Sequence, residues 1–230
     1  MLVSRAVLRL ALPPRGSLRP NSDVDPLKYY YAPLVGRIFA ARINLGLRLL
    51  PAVRAERLLE VGFGSGLLLP TLARVARVVD GIDLCSEPDE VRAQVGAMGV
   101  GNLGELVRGD IRALPFSSGR YDVVVAFSIL EHLRQGELPA ALAEVVRVLG
   151  PGGRLLVGCP AVHKAMNLAF AAIGFHGIEQ HHFSSIHDVV AAARAAGLSV
   201  ERQATFPAPV PLGWAPYNAV LLRKPAGRSS

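Results

Sequence analysis

The sequence predicts an α/β protein built on a mostly parallel sheet with helices on both faces. Three observations carry the prediction. From Arg57 onward, short apolar runs alternate with stretches of helical periodicity, the pattern of repeated βα units joined by right-handed crossovers. The first run, RLLEVG at 57–62, stops in the glycine-rich turn Gly62-Phe63-Gly64-Ser65-Gly66. The second, 77–83, stops at a carboxylate, Asp83, seventeen residues beyond the last of those glycines. Finally, 230 residues of 51% hydrophobic composition suffice for one large core and are few for two.

Each element follows in order. Residues 1–26 read as a flexible basic arm, with Pro13, Pro14, Pro20 and Pro26 breaking any regular structure. Residues 27–224 read as a single domain and 225–230 as a tail. In the domain's first part, 27–55, Leu34, Ile38, Ala41, Leu45 and Leu49 recur at three and four residues, which predicts one or two helices capping the sheet. Strands are expected at 57–62, 77–83, 104–109, 121–127, 153–158, 198–206 and 217–223. The first, second, fourth and fifth are apolar enough to be buried on both faces. Ser86 and Asp89 pattern as a capping pair opening a helix with Pro88 in its first turn. A second helix spans Pro139 to Leu149 and stops at Gly150-Pro151-Gly152-Gly153. A third begins at Ser184 or Ser185, with Asp188 completing a capping box, and ends at Gly197.

The formal charge is +7, and its placement decides what it means. Arg5, Arg9, Arg15 and Arg19 near the start, with Arg223, Lys224 and Arg228 near the end, account for the whole excess. A neutral body with basic ends is a poor nucleic-acid footprint, so nucleic acid is not the expected partner. Cys85 and Cys159 imply no disulfide framework. Arg9 interrupts the first apolar run, which argues against a secretory signal, although an Arg-rich, acid-free start also suits an organellar transit peptide. No stretch reaches the ~18 uncharged apolar residues of a membrane span. A cytoplasmic protein is expected.

The glycine turn selects among nucleotide ligands. A dinucleotide fingerprint puts its third glycine three positions after the second, and here that position is Leu67, which argues against NAD. A Walker A loop requires Gly-Lys-Ser/Thr, which is absent. With LLEVGFGSG at 58–66, Asp83, RGDIRALPF at 108–116, YDVVVAFSILEHL at 121–133 and VLGPGGRLLVG at 148–158, the chain resembles the class I S-adenosylmethionine-dependent methyltransferases, in particular their small-molecule, type 11-like group. The resemblance covers about residues 56–200. It implies a Rossmann-like three-layer sandwich on a seven-stranded sheet whose last strand is antiparallel.

It also implies roles. Gly62, Gly64 and Gly66 would let the backbone approach the methionyl part of S-adenosyl-L-methionine, Glu60 would face its ammonium, and Asp83 would accept from the ribose hydroxyls. Asp110 would face the adenine amino group, with the Ile111 backbone against the ring and Leu84 and Leu114 as apolar walls. Phe127 and Ser128 would meet the methionyl end through backbone groups. Tyr29, Tyr30 and Tyr31 stand where an N-terminal helix closes over the cofactor in this family.

A base is not obligatory for methyl transfer; where one exists, histidine is suited to it near neutral pH. The candidates are His181 and His182, between the fifth strand and the next helix, and His132 after the fourth. His163 and His176 lie in that same connecting segment. Some quinone O-methyltransferases and a small-RNA 2′-O-methyltransferase hold Mg²⁺ with E-x-x-E-H at the position of Ser128-Ile129-Leu130-Glu131-His132. Ser128 removes one hard ligand, so no metal is expected. The expected partner is a small-molecule acceptor, apolar or aromatic. A nucleic-acid or protein methyltransferase, and a non-catalytic binding module of the same fold, remain as alternative readings.

Overall fold

The computed structural model describes residues 8–22, 25–161, 183–208, 210–212 and 214–227. Among these a seven-stranded sheet has the order β3-β2-β1-β4-β5-β7-β6. The strands are β1 Ala55–Val61, β2 Ala76–Asp83, β3 Leu103–Arg108, β4 Tyr121–Phe127, β5 Leu149–Pro160, β6 Ser199–Phe206 and β7 Tyr217–Arg223. The first five run parallel. β7 lies antiparallel between β5 and β6. Among the described residues no crossover helix joins β6 to β7, and a strand that simply turns back pairs antiparallel.

Two cores sandwich the sheet. On one face are α1 Leu27–Tyr30, α2 Val35–Leu47, α3 Leu69–Leu72 and α4 Pro88–Ala97. On the other are α5 Leu138–Val148 and α6 Ile186–Ala195. β1 and β4 are neighbours, and from them the order runs outward in both directions. This reversal makes the region above their carboxyl ends a topological switch point, where open α/β sheets form the crevice that holds a ligand.

Three local expectations change. The apolar stripe predicted for the cap is buried only at its far end: Leu45 and Leu49 pack on the core, but Leu34 is 76% and Ile38 48% exposed, while Phe39, Ile43 and Leu47 pack inward. Both stripes of this helix are apolar, so spacing alone does not choose between them. Ser86 does not cap α4; Glu87 occupies the N-cap without a side-chain bond, and the Ser86 hydroxyl turns toward Asp83. β5 begins at Leu149, four residues early, because α5 ends at Val148 and the chain pairs at once with Tyr121. The Ser185–Asp188 capping box on α6 forms as predicted.

Residues 8–22 make specific contacts with this body. The Leu10 N–H donates to Asn44 Oδ1 at 2.6 Å, the Ala11 N–H to Thr71 Oγ1 at 2.9 Å, and Leu18 is buried.

Three residues before Asp83, the fully buried Asp80 organises the edge of the sheet. Its carboxylate accepts from Arg57 Nε, Arg120 Nη2 and the Tyr121 hydroxyl, each at 2.9 Å, and from the Glu105 N–H at 2.7 Å. Burial alone would raise its pKa. The Arg57, Glu105 and Tyr121 bonds, with the Arg120 charge, hold it below the usual carboxylate value instead. Its stabilisation is therefore present above the unfolded pKa and is lost as pH falls through the folded one. Asp80→Ala strands two guanidinium groups and should cost about 3–5 kcal/mol in urea unfolding, with a weaker dependence of stability on acid.

Candidate active site

The turn after β1 is a backbone cradle. Gly62, Gly64 and Gly66 have φ of +76°, +53° and +83°, the left-handed region that favours glycine. The cradle is also tight: a Cβ on Gly62 would fall 2.0 Å from Ile129 Cδ1, and one on Gly66 2.7 Å from Val91 Cγ1.

Asp83 ties this turn to the start of the next helix. Its Oδ2 accepts from the Gly64 N–H at 2.9 Å; its Oδ1 accepts from the N–H groups of Cys85 at 2.9 Å and Ser86 at 2.8 Å. The Ser86 hydroxyl lies 2.8 Å from both Oδ1 and the Gly64 carbonyl oxygen, and Asn21 Nδ2 donates to it at 2.9 Å. Oδ2 accepts only one such bond, which leaves it able to take another donor.

Glu60, at the end of β1, is 5% exposed, and its Oε2 has no hydrogen-bond partner. Burial, with a further contribution from the Asp83 charge, raises its pKa to about 8. An unpartnered buried carboxyl at the mouth of a crevice requires either a proton or a cation.

On the β3 side, the Gly109 N–H donates to the Asp83 carbonyl at 2.9 Å, which brings Asp110 beside the crevice. Asp110 caps the 3₁₀ turn Ile111–Ala113 through the Arg112 N–H, and the Arg112 guanidinium grips it at 2.6 Å. These bonds hold its carboxyl below the usual value. Ile111 and Leu114 point into the core beneath α5, so only their backbone is free to line a ligand. Leu84 is 61% exposed next to Asp83.

On the β4 side, the Phe127 ring packs into a slot between Gly46 of α2 and Gly158 of β5, where added Cβ atoms would lie 2.4 Å from it. Phe127 can therefore face the crevice only through its backbone. Ser128 has φ +55°, a strained conformation for a non-glycine residue and one that gathers at functional sites. Its N–H donates to the Gly158 carbonyl at 2.7 Å.

His132 closes the 3₁₀ turn Leu130–His132 and is exposed, because the preceding Glu131 takes the inward position. His163, His176, His181 and His182 lie outside the described residues. The three tyrosines do structural work: Tyr29 stacks on Phe39, Tyr30 meets the same ring edge-on, and the Tyr31 hydroxyl donates to the Pro13 carbonyl. Among the described residues no His, Cys, Asp and Glu group is arranged to hold a metal ion. No helix among them is long and apolar enough to cross a membrane.

The sequence missed Arg42 and Tyr217. Arg42 on α2 lies 4.0 Å above the Phe39 ring and 5.2 Å from that of Tyr217. The two residues are 175 positions apart in the chain, and no local pattern marks either.

Comparison with known proteins shows what the chain is similar to. Residues 59–157 match the family described as "Methyltransferase domain". The chain is 29% identical over 143 residues to a ubiquinone biosynthesis O-methyltransferase of Shewanella halifaxensis, covering 61% of this chain and 52% of that one. It is 34% identical over 134 residues to a phosphatidylethanolamine N-methyltransferase of Cereibacter sphaeroides, covering 54% and 64%. It thus spans about half the length of the first relative and under two thirds of the second. Among solved structures, the [4+2]-cyclase SpnF superposes with TM-score 0.65 at 21% identity, over 82% of each chain. The N-methyltransferase NodS of Bradyrhizobium japonicum, in complex with S-adenosyl-L-homocysteine, superposes with TM-score 0.63 at 18% identity, over 90% of this chain and 95% of that one. These two likenesses speak for the fold alone. Over residues 59–157 the match is to a methyltransferase domain, and the sequence relatives make the chain similar to the S-adenosylmethionine-dependent methyltransferases.

Proposed function

We propose that the chain transfers a methyl group from S-adenosylmethionine to a small acceptor with an apolar or aromatic body. The observation that carries this reading is the buried Glu60 carboxyl, its Oε2 unpartnered, at the end of the strand that leads into the glycine cradle. The residues suit the cofactor. Glu60 offers a carboxylate to the ammonium of the methionyl group. The spare capacity of Asp83 Oδ2 takes a ribose hydroxyl, Asp110 takes the adenine amino group, and the exposed Leu84 covers the ring. The bound cofactor supplies a methyl carbon already activated by a sulfonium. The protein's task is then to align a nucleophile, exclude water and accept a proton.

The relatives methylate, by their names, a quinone precursor oxygen and a phospholipid nitrogen, and both reactions suit a small-molecule reading. The test is label transfer from methyl-tritiated S-adenosylmethionine to separate pools of catechols, phosphatidylethanolamine vesicles and RNA. Label in the catechol pool supports the reading. Label only in RNA contradicts it. No label in any pool, with cofactor bound, favours a binding module.

A further inference from the structure

Three polar groups that the cofactor reading leaves unused meet above the carboxyl ends of β4 and β5 and the amino end of β7. Glu131 is fully buried, and its carboxylate oxygens, beside the weakly donating Cys159 thiol, have no strong hydrogen-bond partner. Tyr217 is 1% exposed, and its hydroxyl also has no partner. That hydroxyl lies over Gly158, 2.3 Å from where a Cβ would stand, and Gly158 is the residue whose carbonyl receives the Ser128 N–H. Arg42 reaches over the Tyr217 ring from α2, and its buried Nε is unpaired.

Such atoms are costly to bury alone, and a fold retains them where a ligand completes them. The three are complementary: a guanidinium and a phenol can donate to one oxygen while a carboxylate accepts its proton. The charged and titratable groups facing Glu131 are Arg42 from α2, Tyr217 from β7, His132 on its own turn and Cys159 from β5. Burial is the main force raising the Glu131 pKa, and burial together with Glu131 pushes the Cys159 thiol well up. A carboxyl raised in this way is a better proton acceptor than one in water.

We infer that Arg42, Glu131 and Tyr217 form the polar end of the acceptor site and that the acceptor presents a hydroxyl there. This inference rests on the methyltransferase reading. The acceptor O–H bond breaks and its proton passes to Glu131. The oxygen lone pair forms the new C–O bond on the methyl carbon. The C–S bond breaks with its electron pair left on sulfur, giving a neutral thioether. Arg42 and Tyr217 stabilise the oxygen as negative charge develops on it. The same set would serve an amine poorly, because its two donors would face a nitrogen that offers a single lone pair.

The test uses p-nitrophenol, whose absorbance distinguishes phenol from phenolate, with the whole protein saturated with S-adenosylhomocysteine at a pH below the pKa of the free phenol. Wild type should bind the probe as phenolate. Glu131→Gln should keep the fold, bind S-adenosylhomocysteine unchanged and, with no carboxylate to take the phenol proton, release about one proton more than wild type on binding the probe, counted by calorimetry in buffers of different ionisation enthalpy. Arg42→Met should weaken probe binding at least tenfold, again with S-adenosylhomocysteine unaffected. Absence of probe binding to protein that does hold S-adenosylhomocysteine, or the same proton release and affinity in all three proteins, would overturn the assignment. Failure to bind S-adenosylhomocysteine at all would instead overturn the methyltransferase reading beneath it.

Discussion

Asp83→Ala is expected to weaken S-adenosylhomocysteine binding at least a hundredfold. Two losses add up. The ribose loses charge-assisted hydrogen bonds, each worth about 1.5–3 kcal/mol. The backbone N–H groups of Gly64, Cys85 and Ser86 also lose their common acceptor, so the turn that forms the cradle loosens. Asp83→Asn separates the two: its amide oxygen can still accept from part of the turn, but the charge is gone. It should fall between wild type and Asp83→Ala. Titration calorimetry checks the order, and an equal, small loss in both variants would place the ribose elsewhere.

Glu60 should make ligand binding proton-linked. In the free protein its pKa is about 8, so at pH 7 it is mostly protonated. An ammonium beside it favours the ionised form, so binding at pH 7 should release close to one proton. Affinity should rise with pH, by up to about tenfold per unit, and level off above pH 8. The sign for stability is the reverse. A carboxyl whose folded pKa is raised stabilises the fold most at low pH, and that contribution is lost as pH rises toward 8. The free protein should thus lose on the order of 4 kcal/mol from this group across that range. Glu60→Gln should flatten both trends. Calorimetry of S-adenosylhomocysteine in buffers of different ionisation enthalpy counts the protons; the same count in wild type and Glu60→Gln would assign the linkage to another group.

The sheet and half of the site were legible in the sequence for a physical reason. Strands buried on both faces must be apolar, so β1, β2, β4 and β5 announced themselves, and the residues that end β1 and β2 were drawn from the same lines. Glu60, Asp83 and the glycines are all short-range features. What escaped depended on contacts between distant parts of the chain. α2 has two apolar stripes, and only packing against Phe127 and Ala219 selects the face with Gly46 inward. Ser86 had two partners within reach, the start of α4 and Asp83, and the charged one won. Arg42, Glu131 and Tyr217 come from α2, the β4 turn and β7 and meet only in the folded sheet. His132 was the visible half of Glu131-His132, and its neighbour is the one that turns inward.

The most direct test of the account is titration calorimetry of the purified protein with S-adenosylmethionine, S-adenosylhomocysteine and NAD. The crevice described here predicts micromolar binding of both adenosyl ligands, which share the ammonium, ribose and adenine that Glu60, Asp83 and Asp110 face, and no binding of NAD. Folded protein that binds NAD, or that binds neither adenosyl ligand, would contradict it.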